Sequence, residues 1–205
     1  MSSAGDLNED GFGDVLIGDM RNYVGAIRAA ERSSGALPPI IIATLRDKML
    51  ALALEVAEGA VWANASRSYM PEQLEQVPLD RRSTFSLANM VPTVIDDDLG
   101  AARAIHRRTL AGYLGLPNYR NYWKQAGYEQ EMVAIEAALE AGDRDALPAL
   151  MTDRWIDDCT ISGGPAQVRD QLESWFASGV TPIAVMSSTS GGQLKAIGEL
   201  FALYS

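Results

Sequence analysis

The sequence has one cysteine, Cys159, and one histidine, His106, among its 205 residues. A single cysteine excludes an intramolecular disulfide and any metal site built from several thiolates. No cationic residue and no histidine adjoins Cys159, so we expect a buried structural thiol and not a reactive one. His106 stands beside Arg107 and Arg108 on a charged helix face, so we expect a solvated surface histidine with no partner for a Ser-His-Asp triad.

Basic residues are also scarce, since 17 Lys and Arg stand against 27 Asp and Glu for a net charge of −10. Phosphate backbones and anionic membranes repel such a chain, so we expect neither nucleic acid nor a membrane as a partner. The N-terminus lacks the basic-then-apolar pattern of a signal peptide, and no apolar run approaches the ~18 residues that span a bilayer. The predicted compartment is the cytoplasm. G-x-S-x-G, Walker A and G-x-G-x-x-G motifs are absent as well.

The chain does contain an alternation of short apolar runs and amphipathic stretches. Four runs predict strands, at residues 39–44, 60–64, 84–95 and 180–188. The first, PIIIAT, is β-branched and lacks charge and polar alternation, which is typical of a strand buried on both faces. Strands that alternate with helices indicate α/β architecture, with a parallel sheet and outer helices.

A helix-rich insertion is predicted before the last strand, from Asp96 to Asp158. A terminal helix is predicted from an apolar stripe of Leu194, Ile197, Phe201 and Tyr204. A closed (β/α)₈ barrel typically needs ~200 to 250 residues. About four parallel strands with this insertion therefore predict half a TIM barrel, whose two sheet edges are unpaired.

The loops that follow the strands are the first candidates for a site, because ligands of parallel folds bind beyond the carboxyl ends of the strands. After the first strand, Thr44, Arg46 and Lys48 could form a phosphate cradle with backbone amides of the next helix. After the last strand, the loop SSTSGGQ offers two glycines and the hydroxyls of Ser187, Ser188 and Ser190. The alternative is that both loops are ordinary helix starts with surface charges. Spacing alone leaves this alternative open and favours it.

Aromatic residues provide a second set of candidates. Trp62 and Asn64 lie at the carboxyl end of the second predicted strand, where a pocket is expected. A further group could form a face for a planar ring, although aromatics at helical spacing more often belong to a core; its members are Tyr119, Tyr122, Trp123 and Tyr128.

The N-terminal stretch DLNEDGFGDVLIG places oxygen-bearing side chains on alternate residues, as Ca²⁺ sites do. An EF-hand would require Glu where Ile17 stands, so that motif is excluded. Residues 4–18 resemble the FG-GAP loop of integrin-type β-propellers, in which a strand follows the loop. That resemblance implies Ca²⁺ ligands at Asp6, Asn8, Asp10, Phe12 (by its carbonyl) and Asp14. A propeller needs several blades, so the alternative is a mobile acidic tail without an ion.

Three later stretches resemble the bacterial luciferase-like monooxygenase family. They are IIIATLRDKMLALALEVAEGAVWANASRSYM, IDDDLGAARAIHRRTLAGYLGLPNYRNYWKQAGY and ISGGPAQVRDQLESWFASGVTPIAV. They follow one another in the order that the family shows, and the resemblance extends from about Met20 to the C-terminus. It divides the chain into an FG-GAP-like segment, residues 1–19, and a luciferase-like partial barrel, residues 20–205.

The resemblance implies a flavin-dependent oxidoreductase or monooxygenase, with FMN or a deazaflavin coenzyme at the carboxyl end of the barrel. It implies cofactor contacts at Thr44, Leu45 and Arg46, although many members carry Gly where Arg46 stands, and a pocket that includes Trp62 and Asn64. Nothing matches the family's first four βα units, so the chain resembles a C-terminal half-barrel. We therefore assign no catalytic residue and expect a small-molecule substrate and a catalytically incomplete fragment.

A different class of function remains open beside the enzyme. An exposed sheet edge is a template for pairing with another strand. The chain could therefore be a non-catalytic assembly or interaction subunit, and we expect a homo-oligomer or pairing through that edge.

Overall fold

Five parallel strands form one sheet, and helices cover one of its faces. The computed structural model describes residues 14–204, and the side chains of residues 17–204. The strands are β1 (Ile41–Ala43), β2 (Gly59–Ala63), β3 (Ser86–Ile95), β4 (Ile161–Gly163) and β5 (Thr181–Ser187). All of their pairings are parallel. The predicted α/β class is confirmed, and the fold is compatible with half a (β/α)₈ barrel.

The helices of the described region connect and flank these strands. They are α1 (Asp14–Ser34), α2 (Asp47–Val56), α3 (Met70–Gln73), α4 (Leu99–Leu114), α5 (Pro117–Trp123), α6 (Glu129–Glu140), α7 (Leu147–Leu150), α8 (Asp153–Cys159), α9 (Pro165–Ala177) and α10 (Gln193–Ala202). Helices α4 to α8 form the predicted helix-rich insertion. No helix within residues 14–204 combines the length and the apolar character needed to cross a membrane.

The strand order is β1-β2-β3-β5, with β4 paired only to the end of β3. Thr93 and Val94 pair with both β4 and β5, so these two strands lie on opposite sides of β3. Strand β4 therefore lies in line with β2, beyond the end of β2. Among residues 14–204, no strand pairs with the outer edge of β1 or of β5.

The prediction of four strands misses β4. Its three residues read in sequence as the start of the next helix, because Gly164 and Pro165 follow at once. Gly164 is the N-cap of α9 and Pro165 its first residue, so that helix start is confirmed. Three residues are too few to show the hydrophobic periodicity that distinguishes a strand from a helix start. Strand β4 forms because it pairs with the C-terminal half of β3.

The hydrophobic core lies between the sheet and the helices. Four tryptophans are fully buried there: Trp62, Trp123, Trp155 and Trp175. Trp123 and Trp155 meet edge to face, with ring centroids 4.8 Å apart. The core face of α2 is formed by Leu50 and Ala53, one turn apart. The expectation that Tyr122, Trp123 and Tyr128 belong to a core is confirmed.

The opposite face of the sheet is largely exposed, apart from the end of β3, where Pro92 and Val94 are buried. We call it the open sheet face, and the pairing register places these residues on it: Ile41, Ala43, Val61, Ala63, Ala88, Met90, Thr181, Ile183 and Val185. The expectation that PIIIAT is buried on both faces is therefore wrong, because Ile42 is buried but Ile41 and Ala43 are exposed. The run is apolar on both sides, yet only one side has helices against it.

Two further expectations differ from the structure. Helix α10 is present, but its predicted apolar stripe is turned outward: Leu194, Phe201 and Tyr204 are exposed, while Ala196 and Leu203 are buried. At the other end, the strand implied by the FG-GAP resemblance is not formed, because α1 begins at Asp14 and runs past the predicted boundary at residues 19 and 20. A propeller strand needs neighbouring strands to pair with, and an isolated segment has none.

Candidate functional site

A cavity of about 240 Å³ opens at the carboxyl ends of β1 and β2. Its walls come from both strand ends, from β3 and from the helical insertion, and they include Thr44, Leu45, Val61, Trp62, Met90 and Tyr119. Most of these groups are apolar or aromatic, and a few polar atoms stand among them. This is the usual composition of a small-molecule pocket, although such pockets commonly occupy ~300 to 1,000 Å³.

The loop after β1 is held by backbone bonds that limit what it offers a ligand. The Thr44 N–H donates to the Val61 carbonyl at 2.8 Å, so this amide belongs to the sheet. The Thr44 hydroxyl donates to the Arg46 carbonyl at 3.4 Å and keeps its lone pairs for an incoming donor. Arg46 is the N-cap of α2, with extended backbone and no capping bond from its side chain. Its Nε donates to Gln125 Oε1 at 3.1 Å, which ties the loop to the insertion.

The end of β2 turns sharply at Asn64, whose φ of 57° lies in the left-handed region. Asn tolerates this conformation better than most residues. The Asn64 carbonyl accepts a hydrogen bond from Trp123 Nε1 at 3.2 Å. Its side-chain Nδ2 and the Nε1 of Trp62 are both buried without a hydrogen-bond partner among the described groups. Unmatched buried donors are costly, so the end of β2 holds two N–H groups suited to an acceptor.

Tyr119 supplies a further polar group on the cavity wall. Its ring packs against Tyr113 and Trp123, with centroids 4.8 and 5.3 Å away. Burial raises the pKa of Tyr119 to about 12, with a smaller contribution from Tyr113. The phenol therefore stays protonated near neutral pH and can donate a hydrogen bond.

The predicted site residues are thus brought together only in part. Thr44, Leu45 and Trp62 line the cavity. Arg46 directly follows Leu45, and Asn64 lies two residues after Trp62. Sequence reasoning missed Met90, and the signal that could have found it is the register, because Met90 pairs with Ala63 at the end of β2. It also missed Met49 and Asn118, which line the cavity from α2 and α5.

Buried Ser66 anchors the loop after β2. The Ser66 N–H donates to the Tyr122 hydroxyl at 3.0 Å, and Ser66 Oγ lies 3.3 Å from Cys159 Sγ. Burial raises the pKa of the Cys159 thiol well above its usual range. The expectation of a buried structural thiol is confirmed, since such a group does not ionise near neutral pH.

The serine-rich loop after β5 uses its hydroxyls internally. Thr189 Oγ1 donates to Asp96, and this bond is the main cause of the lowered pKa of that carboxylate. Ser190 Oγ accepts from Lys195 Nζ at 2.8 Å. The loop lies at the carboxyl end of β5, on the sheet edge opposite to β1. Within one chain, the two predicted phosphate loops are therefore separated by β2 and β3.

The expectation of a surface histidine is wrong, because His106 is fully buried. Its Nε2 lies 3.2 Å from the Ile161 carbonyl, and its Nδ1 has no partner in the described structure. Burial lowers the pKa of His106 to about 4. Neighbours in sequence on a helix point in different directions, so Arg107 and Arg108 do not report on the face that His106 occupies.

The predicted calcium ligands Asp6, Asn8, Asp10 and Phe12 lie outside the described residues, as does the side chain of Asp14. Among the described side chains, no three His, Cys, Asp or Glu residues form a group that could hold a metal ion.

Known proteins resemble this chain in sequence and in fold. The sequence model of the luciferase-like monooxygenase family matches residues 18–182. A Mycobacterium tuberculosis protein named as a coenzyme F420-dependent oxidoreductase is 26% identical over 179 residues, which cover 80% of this chain and 50% of that protein. The coenzyme F420-dependent tetrahydromethanopterin reductase of Methanopyrus kandleri superposes with a TM-score of 0.61 at 21% identity, over 79% of this chain and 48% of the reductase. The chain spans about half the length of both relatives.

Proposed function

Because the chain belongs to the luciferase-like monooxygenase family of oxidoreductases, we propose that it binds a deazaflavin, coenzyme F420, in preference to FMN, for oxidoreduction of a small-molecule substrate. Both relatives described above are named for F420, which supports this choice of cofactor. When bound, a deazaflavin carries a hydride at C5, and the protein positions the ring and excludes water.

The observation that carries the proposal is the cavity at the ends of β1 and β2. Val61, Met90 and Leu45 provide apolar surface for a planar ring. The protonated phenol of Tyr119 is a donor suited to ring carbonyls and nitrogens. These residues fit part of a deazaflavin. The volume of about 240 Å³ accommodates only part of the coenzyme, so further barrel units must complete the site.

The start of α2 is the place we propose for the cofactor phosphate. Arg46 brings a guanidinium to the first turn of this helix, where the amide dipoles favour an anion. The charge of Arg46 would there take the place of a close backbone approach. The Thr44 hydroxyl, which donates to the Arg46 carbonyl in this structure, would turn to donate to a phosphate oxygen as a second polar contact.

The proposal is tested by titrating the purified chain with F420 and, separately, with FMN, while cofactor fluorescence and visible absorbance are recorded. We expect saturable F420 binding at least about tenfold tighter than FMN binding, a difference of ~1.4 kcal/mol. Tighter binding of FMN, or no binding of either cofactor, would overturn the proposal.

A pair of variants locates the binding. Ala63→Trp fills the cavity and should abolish F420 binding, whereas Ala137→Trp, on the exposed surface of α6, should leave it unchanged. The oligomeric state of both variants is measured in the same samples, so that loss of cofactor binding is separated from loss of association.

A non-catalytic assembly role is a second candidate, and one observation favours it. The open sheet face and the edges of β1 and β5 have no covering element among residues 14–204. Substrate-independent association without any cofactor affinity would support this role over the first.

A further inference from the structure

The open sheet face is a large apolar surface without a partner in the described chain. Ile41, Met90 and Ile183 are 42%, 42% and 45% exposed. Ala63 pairs with Met90, and Met90 pairs with Ile183, so these side chains form a row across three strands. No charged residue lies in the rows that the register defines. Parallel sheets are almost always covered on both faces, so this surface requires a covering structure.

Helix α10 carries large exposed apolar side chains. Leu194 and Phe201 are 86% and 73% exposed, and they lie two turns apart on one side of the helix. Helix α10 follows β5 and packs against it. It packs against β3 as well, so the helix lies over these two strands with its stripe exposed. An added strand beside β5 would bring its own helix next to this stripe.

We propose that two copies of this chain associate about a two-fold axis, parallel to the strands, into one closed eight-stranded barrel. Each copy contributes β1, β2, β3 and β5 in that order. Rotation about an axis parallel to the strands keeps all strands parallel, so β5 of each copy pairs with β1 of the other at two equivalent seams. Eight strands give an interior that side chains fill.

A second copy fits this surface better than an unrelated chain, for reasons of geometry and charge. Within residues 14–204, one copy has two free edges, and a two-fold arrangement satisfies both of them on both copies with a single self-complementary contact. The fold of the reductase described above is matched over only 48% of its length, so one copy leaves room for a second half. The paired rows of the open sheet face hold no charged residue, so closure would bury no charge from this face.

Closure would also bring the two separated loops together. The carboxyl ends of all strands lie at one end of the barrel, so the loop after β5 of one copy would stand beside the loop after β1 of the other. Lys195 and Ser190 of one copy would then face Thr44 and Arg46 of its partner. Each of two equivalent sites would be built from both copies, and neither site is complete in one chain.

The test is the mass of the chain in solution, measured by size-exclusion chromatography with light scattering. We expect twice the 22.1 kDa of one chain. In the closed barrel, the two-fold axis places the two copies of Met90 in the same interior layer, on opposite strands. Met90→Lys and Met90→Glu each bury two like charges and should each weaken the dimer by about a hundredfold or more. Both variants should keep the far-ultraviolet circular dichroism of the folded chain, since Met90 is exposed in one copy.

Mixing the two variants in equal amounts makes the test specific to a second copy. A mixed pair brings Lys and Glu into one interior and should restore the dimer. Val133→Lys, on the exposed surface of α6, is the matched control and should stay dimeric. A monomeric wild-type chain, a dimer that survives Met90→Lys, a mixture that stays monomeric, or a monomeric control would each overturn the proposal. The measurement needs no cofactor, so its outcome is independent of the proposed function.

Discussion

Asp158 accepts two hydrogen bonds from Ser68, a residue ninety positions earlier in the chain. The Ser68 N–H donates to Oδ1 at 3.0 Å, and the Ser68 hydroxyl donates to Oδ2 at 2.7 Å. The Tyr128 hydroxyl donates to the same Oδ2 at 2.8 Å. The loop after β2 leads away from the cavity. The carboxylate of Asp158, on α8, attaches this loop to the helical insertion.

Removing this carboxylate should destabilise the fold. In Asp158→Ala, three donors lose their acceptor in a largely buried place, and the free energy of unfolding should fall by about 2–4 kcal/mol. Asp158→Asn keeps one acceptor oxygen and should cost about half as much. Urea unfolding followed by tryptophan fluorescence measures both. Asp170→Ala, on the exposed face of α9, is the control; equal stability of Asp158→Ala and this control would contradict the role of Asp158.

Much of the sheet could be predicted from sequence because its signal is local. The strands β1, β2, β3 and β5 stand out as apolar runs between helix signals. Strand β4 could not be recognised, since its three residues depend on pairing with Thr93 to Ile95, far away in sequence. The burial of His106 had a readable signal, because Ala102, Leu110 and Leu114 share its helix face at intervals of four and eight residues.

The site was less predictable than the sheet because its walls come from distant segments. Thr44 and Trp62 could be proposed from strand ends and Tyr119 as part of a ring face, but Met49 and Asn118 line the cavity from helices whose packing has no local signal. Burial on both faces of β1 was predicted because its composition is apolar on both sides. That composition indicates that the strand requires apolar contacts on both faces. The described part of one copy provides them on one face.

Gly59, at the start of β2, should tolerate no side chain. A Cβ there would stand 2.6 Å from the Ser86 carbonyl oxygen and 2.6 Å from Ile41 Cδ1. The carbonyl belongs to the neighbouring strand and cannot move aside without distorting the sheet. Gly59→Ala should therefore lower the free energy of unfolding by about 1–3 kcal/mol.

A second glycine provides the matched control for this substitution. Gly112 lies on the exposed side of α4, with nothing within 4 Å of an added Cβ. Gly112→Ala should raise stability by about 0.5–1 kcal/mol, because alanine restricts the unfolded chain and favours the helix. Thermal unfolding of the two variants should shift in opposite directions; a shift of both in the same direction would show that crowding at Gly59 is not the cause.

Arg46 should contribute to cofactor affinity through its charge. Arg46→Ala should weaken F420 binding by about tenfold, the ~1.4 kcal/mol expected for one charge-assisted contact. Arg46→Lys should recover part of that loss. Binding by the wild-type chain should weaken with added salt, and binding by Arg46→Ala should weaken less.

The control for Arg46 is a second arginine of equal charge. Arg108→Ala, on the exposed side of α4, changes the net charge by the same amount away from the cavity. Fluorescence titration should find its F420 affinity unchanged. If both alanine variants lose affinity equally, the effect comes from overall charge and the phosphate position proposed at α2 is wrong.

His106 should make the stability of the fold depend on pH in a window where few other groups titrate. Burial lowers the pKa of its imidazole from 6.5 to about 4 in the folded chain, so the unfolded chain takes up the proton first as the pH falls below 6.5. The stability contributed by neutral His106 is therefore fully present above pH 6.5 and is lost progressively toward pH 4. Between pH 6.5 and pH 5, the loss should reach about 2 kcal/mol, since one pH unit corresponds to ~1.4 kcal/mol.

A variant without a titrating group isolates this contribution. His106→Gln should be less stable than the wild type at pH 7, because an amide fits the buried site less well, yet its stability should be nearly flat between pH 6.5 and pH 5. Carboxylates with lowered pKa values, such as Glu58 and Asp153, lose their contribution only at lower pH. Urea unfolding at several pH values gives both slopes. An equal slope for the wild type and His106→Gln would show that His106 is not the group responsible, and that its buried imidazole is protonated without cost to the fold.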